Sequence, residues 1–233
     1  PVPQSLIKRW KEYFPHHQYD TNYGLSESIG PGAVHLGVEN IDKVGAIGVP
    51  GYGWQVRIVD EDGKDVKQGD VGELLLKGPG VMTCYYKNPE ATKEVFTEDG
   101  WLRTGDLGTL DDNNNLYIRG RSKTMILSSS GQNIFPEEIE ARLNNMPFVL
   151  ESLVIERNKK LVALVYADYE ALDSLGLNNP ENLKTIMDEN LKNLNNSVAA
   201  YEKVSQIQLY PTEFEKTPKR SIKRYLYNSI AED

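Results

Sequence analysis

Apolar side chains in LIKRWKEYFP, residues 6–15, fall at Leu6, Ile7, Trp10 and the Tyr13/Phe14 pair. That spacing predicts a short amphipathic helix stopped by Pro15. Further on the period drops to two. GWQVRIVDEDGK, 53–64, alternates around Trp54, Val56 and Ile58 and turns at Asp62-Gly63, and VGELLLKG, 71–78, follows as a second strand. Together they predict a β-hairpin-like region with glycines at its corners. NPEATKEVF, 88–96, reads as a short helix, and LDDNNNLYIRG, 110–120, as a turn feeding a strand.

Beyond Gly120 the pattern shifts to a compact mixture of helices and strands. PEEIEARLNNM, 136–146, predicts a helix with Pro136 in its first turn and acids at its positive end. Leu153–Glu156 and Leu161–Ala167 predict strands paired across Asn158-Lys159. Residues 180–196 predict a second helix, and Val204–Tyr210 another strand. The expected class is α+β, with a boundary near Arg119–Lys123 and no internal repeat. Asp111–Asn115 is the one biased segment, a loop tip.

Composition narrows the function. The 233 residues are 39% hydrophobic and 26% charged, a soluble globular balance, with a net charge of -8. That acidity argues against general nucleic-acid or membrane-surface binding, since phosphate backbones attract basic faces. A single cysteine, Cys84, rules out an internal disulfide, and three histidines, two of them adjacent, are too few for a typical metal cluster. No apolar run approaches the roughly 20 residues of a membrane span. A cytoplasmic protein is expected, with peripheral attachment to the inner membrane face as the variant of that location.

Three segments hold chemistry that the fold does not require. TNYGLSES, 21–28, places a tyrosine, a glycine, a hydroxyl and a carboxylate close together. A ring can stack on a base, a hydroxyl can donate to phosphate, and a carboxylate can hold magnesium. A strand end running into a polar turn accounts for the same letters. DGWLRTGDLG, 99–108, could aim Asp106 at a diol, or be a plain hairpin turn. In RGRSKTMILSSSGQNIFPEEIE, 119–140, Arg121 and Lys123 lie at the boundary, and a Ser-rich loop ending in Gly131 precedes the helix. Backbone could approach a ligand closely there, or the segment could be a linker and an ordinary loop.

The order and spacing of these segments resemble the C-terminal part of adenylate-forming enzymes: acyl-CoA synthetases, nonribosomal-peptide adenylation domains and luciferases. YGLSES is similar to the family's Tyr-Gly-x-Ser/Thr-Glu motif, and GWLRTGDLG to its Gly-Trp-x-x-Thr-Gly-Asp motif. GRSKTMILSSSGQNIFPEEIE resembles its hinge and following loop, and TPKRSIKR, 217–224, stands in the place of its last motif. The wording of the hinge loop is most similar to bacterial long-chain fatty acyl-CoA ligases. The resemblance implies a distorted β-barrel subdomain, residues 1–119, ending the large N-terminal domain. A small α+β lid, residues 120–233, would follow and rotate between two half-reactions.

The family joins a carboxylate to MgATP, releases pyrophosphate and passes the acyl group to a thiol of CoA or a carrier protein. Carried over, Tyr23 would stack on adenine, Gly24 would belong to the same nucleotide site, Ser26 would contact phosphate and Glu27 would hold Mg2+. Asp106 would bind the ribose hydroxyls and Arg121 the ribose or phosphate. Lys123 would be the hinge, and Ser129, Ser130 and Gly131 would face CoA. The attacking carboxylate is already ionised, so no general base is needed, which suits motifs without histidine. In the last motif, gapless alignment puts Ser221 where the catalytic lysine belongs, with Lys219 and Lys223 two residues to either side. In an extended segment all three would share one side. Lys223 is favoured over Lys219, and a solvated basic tail is the alternative to both.

The family's phosphate loop and most of its acyl pocket are not among these residues, so the chain is expected to be part of a longer ligase, inactive alone and partnered by its own upstream segment. Its substrates would be a fatty acid, ATP and CoA. An adenylation domain feeding a carrier protein is a competing reading, which predicts an adjacent carrier domain. A non-catalytic module derived from the fold is another, which the altered last motif favours.

Overall fold

A computed structural model describes residues 4–17, 20–34, 43, 45–128, 130–218 and 220–227. The chain divides into two compact units, Pro1–Lys123 and Thr124–Asp233.

The first unit opens with α1 (Gln4–Tyr13), which buries Ile7. Two sheets follow. β1 (Asn22–Gly24), β2 (Pro31–Val34) and β3 (Val49–Pro50) form an antiparallel three-stranded sheet. β4 (Gln55–Val59) and β5 (Gly72–Lys77) form the hairpin that the alternating pattern predicts. After α2 (Pro89–Val95), β6 (Leu102–Leu110) and β7 (Leu116–Arg121) extend it to a four-stranded antiparallel sheet. Asn88 caps α2 by accepting the Ala91 N–H at 3.1 Å, and Pro89 occupies the first turn, where a missing N–H costs nothing.

The two sheets meet where Gly48 bridges Leu116. Leu116 donates to the Gly48 carbonyl at 2.7 Å, and Ile47 donates to the Leu116 carbonyl at 2.7 Å. Ala33, Ile47, Ile58, Leu74, Leu76 and Leu116 fill the space between them. Leu75 points the other way and packs with Val59 and Trp101. That accounts for three consecutive leucines in β5, a strand covered on both faces. Among the described residues these sheets do not close into a continuous barrel.

The β6–β7 turn is built around Asp111. Its carboxylate accepts N–H groups from Asn113 and Asn115 at 2.9 Å and the Lys43 ammonium at 2.7 Å. Burial raises the pKa of this carboxyl. Lys43 and the Asn115 donors outweigh that and hold it below the usual carboxylate range. Asp111→Ala is expected to cost about 1–3 kcal/mol at neutral pH, because several donors lose their acceptor. A depressed folded pKa contributes stability above the unfolded pKa, and that stability is lost as pH falls. The gap between wild type and variant should therefore narrow below about pH 4. Denaturant unfolding at pH 7 and pH 3 checks this, and a gap of constant size would refute it.

In the second unit, β8 (Ile126–Leu127) and β9 (Asn133–Ile134) form a small ribbon ahead of α3 (Pro136–Leu143). β10 (Val149–Arg157) and β11 (Lys160–Ala167) pair antiparallel. Asn158 and Lys159 between them have φ of 50° and 60°. Positive φ at both central residues defines the tight turn that matches strand twist. α4 (Tyr169–Ser174) and α5 (Pro180–Ser197) follow, and β12 (Val204–Leu209) returns parallel to β11.

Alternation along β11 sorts its side chains. Leu161, Ala163, Val165 and Ala167 join Ile139, Leu143, Leu183, Met187 and Leu194 from the helices. Val162 and Leu164 face the opposite way, with Leu153, Ile155, Phe214 and Tyr227. The C-terminal segment is therefore the second wall of this sheet. No helix among the described residues is long and apolar enough to cross a membrane.

Candidate functional site

β6 brings the Asp106 carboxylate under two donors. It is not the plain hairpin turn considered for GWLRTGDLG, because residues 102–110 run as a strand. Gly105 kinks that strand with φ +69°, a backbone setting that glycine adopts without penalty. The Thr104 hydroxyl donates to the Leu74 carbonyl at 2.8 Å and accepts the Asp106 N–H at 3.0 Å. Asp106 is 5% exposed. Arg121, directly opposite on β7, places Nε 3.1 Å from Oδ1. The Tyr23 hydroxyl from β1 donates to Oδ2. Burial, and then the Asp106 charge, push the Tyr23 hydroxyl far above the ordinary tyrosine range, so it remains protonated and is the donor.

The segment after Tyr23 forms a single 3-10 turn, Ser26–Ser28. Ser28 is fully buried and holds this turn, accepting the Leu25 N–H at 2.8 Å and donating to the Gly30 carbonyl at 2.9 Å. Gly24 and Ser26 remain exposed, and Glu27 is half-buried. The Met82 N–H donates to the Glu27 carbonyl at 2.7 Å, fixing the turn to the chain after β5. Tyr85 donates to Glu27 Oε1 at 2.8 Å. That bond raises the Tyr85 pKa and leaves Oε2 as the oxygen offered to a cation. The sequence reading did not find Tyr85, since its partner lies 58 positions away.

One carboxylate oxygen at an exposed turn fits a magnesium ion held mainly by substrate phosphates and water. An all-protein metal cage does not fit, because the described residues contain no group of three or more His, Cys, Asp or Glu side chains placed for one.

Lys123 is exposed at the end of the first unit. Ser130 and Gly131 are exposed in the loop before α3, with Gly131 at φ +82°. Ser129 and Lys219 lie outside the described residues.

The extended run expected for the last motif is corrected, over its described residues, to a hairpin. Thr217 donates to the Ser221 carbonyl at 2.8 Å, Arg220 donates to the Thr217 carbonyl at 2.8 Å, and Lys216 bridges Ile222. Arg220 takes a left-handed φ of 61°. Thr-Pro opens such a turn because proline presets its first central φ, and a left-handed third residue closes it. Ile222 packs toward Phe214 and Tyr227. Lys223 is 3.0 Å from Glu215 across the stem, and that bond raises the lysine pKa and keeps it an ammonium.

The first unit thus presents a Tyr-Asp-Arg cluster and a carboxylate turn, and the second unit a basic hairpin. Residues 1–86 match the family model for AMP-binding enzymes, and residues 123–230 match that for the AMP-binding enzyme C-terminal domain. The chain belongs to this adenylate-forming family. It is 42% identical over 132 residues to the sulfoacetate–CoA ligase of Cupriavidus necator, covering 57% of this chain and 26% of that protein. It is 32% identical over 221 residues to a long-chain-fatty-acid–CoA ligase of Mycobacterium bovis, covering 87% and 35%. The solved O-succinylbenzoate coenzyme A synthetase from Bacillus subtilis, in complex with AMP, superposes with a TM-score of 0.80 at 26% identity, covering 99% of this chain and 44% of that one. The chain thus spans about a quarter to a third of the length of these curated relatives.

Proposed function

We propose that this chain is the C-terminal part of an acid–CoA ligase. In the first half-reaction a carboxylate oxygen attacks the α-phosphorus of ATP, the bond to the β-phosphate oxygen breaks, and pyrophosphate leaves with the electron pair. In the second, the CoA sulfur attacks the acyl carbon, AMP departs, and the thiol proton is released. The observation that carries this reading is the buried Asp106 carboxylate, held by Tyr23 and Arg121 beside the Ser26–Ser28 turn. A buried, oriented carboxylate next to an aromatic ring suits a ribose diol and its base.

In this reading Tyr23 and Gly24 line the adenine, Asp106 accepts from the ribose hydroxyls, and Arg121 contacts ribose or phosphate. Ser26 donates to phosphate, and Glu27 is the Mg2+ ligand. Held at Glu27, the ion would supply positive charge to the phosphates. Residues 1–119 end the large domain, and residues 120–233 form a lid that turns about Lys123. The loop at Ser129, Ser130 and Gly131 meets CoA. Lys223, or Lys219, supplies an ammonium to the developing charge on the α-phosphate. A long-chain fatty acid is the proposed substrate, supported by the hinge-loop wording and by the length of the match to the mycobacterial ligase.

The test uses the complete ligase that carries this chain, with ATP, CoA and a panel of fatty and aryl acids. Thioester should form with long-chain acids and not with aryl acids. Lys223→Ala should lower acyl-adenylate formation by about 100-fold or more, the scale of losing one aimed charge. Thioester formation from supplied acyl-adenylate should stay within about twofold, since that charge is asked for only in the first step. If Lys219→Ala and Lys223→Ala both match wild type, the basic hairpin is a solvated face and the lysine assignment is wrong.

A further inference from the structure

The residue that follows Lys223 is engaged differently from that lysine. Lys223 reaches across an exposed stem to Glu215, whereas Arg224 turns inward, its side chain only 19% exposed. Its terminal nitrogen meets Glu140 Oε2 from α3. Its other terminal nitrogen donates to the Val154 carbonyl at 3.3 Å, and Nε lies 3.7 Å from Glu137 Oε1. Glu140 also accepts the Val154 N–H at 2.6 Å. One guanidinium thus ties the hairpin's exit to the first turns of α3 and to the middle of β10.

That arrangement is expensive as a stabilising device. A buried ion pair often contributes no more than a well-packed apolar pair of equal volume, yet loses heavily if one partner is removed. A planar guanidinium does offer fixed direction, with its donors held in one rigid fork. The hairpin has use for direction. Its stem is held by the Lys223 N–H to the Glu215 carbonyl at 2.8 Å and by the Glu215 N–H to the Tyr227 hydroxyl at 2.7 Å. Beyond the stem, the turn from Thr217 to Ser221 projects with both ends exposed or half-exposed. A small rotation at residue 224 would swing Lys223 with it.

We infer that Arg224 is the positioning residue of the basic hairpin: its contacts with Glu140, Glu137 and the Val154 carbonyl fix the angle at which the hairpin delivers its lysine. The inference rests on the reading that this hairpin carries the lysine of the first half-reaction. Arg224 itself touches no reacting atom. Its neighbour Thr124, the first residue of the second unit, donates to the same Glu137 Oε1 at 2.6 Å. The first turn of α3 is therefore the shared seat of the unit's entry and of the hairpin's exit.

The experiment compares Arg224→Gln and Arg224→Lys with Lys219→Ala and Lys223→Ala in the complete ligase. Both half-reactions are followed, together with amide hydrogen exchange. Arg224→Gln should lower kcat for acyl-adenylate formation tenfold or more, leave KM for ATP within about twofold, and leave thioester formation from supplied acyl-adenylate near wild type. Exchange at the hairpin amides of Thr217, Arg220 and Lys223 should quicken at least tenfold, while the β10–β11 amides stay protected. Arg224→Lys should recover part of the adenylation rate, and it decides the matter if the glutamine variant fails to fold. A parallel fall in both half-reactions with loss of β10–β11 protection would make Arg224 a plain stability residue and overturn the inference. So would wild-type adenylation in Arg224→Gln while a lysine variant is impaired, in which case the lysine reading survives. If neither lysine variant impairs adenylation, the reading falls and the inference with it.

Discussion

Asp106→Ala is expected to weaken AMP and ATP binding by about 100-fold or more, since each hydrogen bond to a charged acceptor contributes roughly 1.5–3 kcal/mol and a ribose diol makes two. The substitution also strips Tyr23 and Arg121 of the carboxylate that orients them. Asp106→Asn separates the two effects. It keeps the shape and one acceptor but removes the charge, so it should fall between wild type and alanine. Titration calorimetry with AMP on the complete ligase measures both. Binding within threefold of wild type in the alanine variant would mean that Asp106 serves only the β6–β7 ladder, and the nucleotide site would have to be sought elsewhere.

The second large effect is expected at Gly80, a position without chemistry of its own. A methyl group there would stand 2.5 Å from the Ser28 carbonyl oxygen and 3.0 Å from the Trp54 ring. Neither can yield easily, because that carbonyl already accepts the Gly30 N–H at 2.6 Å. Gly80→Ala should cost about 1–3 kcal/mol, the range for overpacked sites, and lower Tm by several degrees. Because Ser28 closes the turn that carries Ser26 and Glu27, the Mg2+ concentration needed for half-maximal adenylation should rise as well. Gly63→Ala is the control. Its φ of +78° strains a side chain, but nothing lies within 4 Å. It should lose about 1 kcal/mol and leave the Mg2+ dependence unchanged. Equal Mg2+ responses from the two variants would break the proposed link between Gly80 and the carboxylate turn.

Where local pattern and tertiary environment agree, the sequence was readable. The β4–β5 hairpin follows from alternation around Val56 and Ile58 with Asp62-Gly63 at the turn. α2, α3 and α5 announce themselves by Pro89, Pro136 and Pro180 at their starts. The β10–β11 turn is written in Asn158-Lys159. Tyr23, Asp106 and Arg121 were singled out one by one through motif wording, and the fold brings them onto one carboxylate. Their convergence is not a local property: Tyr23 and Asp106 are 83 positions apart.

Other features left no such trace. Of the first sheet only the strand end entering the polar turn at TNYGLSES was read, as β1 and the Ser26–Ser28 turn; β2 and β3 are four and two residues long, too short for a period. The parallel return of β12 depends on α5 packing across the sheet. Tyr85 looks like one of two adjacent aromatics until Glu27 stands opposite. In the last motif alternation does not hold, because the chain turns between Thr217 and Ser221. Thr217-Pro218 was the warning, since proline at the second position favours a turn over a strand. Arg220 in a left-handed conformation hid the rest, because arginine there is not a recognised turn signal.

The covering of the β10–β11–β12 sheet by the C-terminal segment separates two kinds of constraint along a few residues. Phe214, Ile222 and Tyr227 belong to the folding problem, and any sequence that keeps this sheet dry must retain apolar bulk at those places. Ser221 and Arg220 are exposed, and the sheet is indifferent to them. Selection for a folded chain therefore preserves the hairpin as an object while leaving its outward letters open to drift. A serine can settle at the gapless lysine position without any loss of stability to expose the change, so only selection on the reaction itself can hold a lysine at work there.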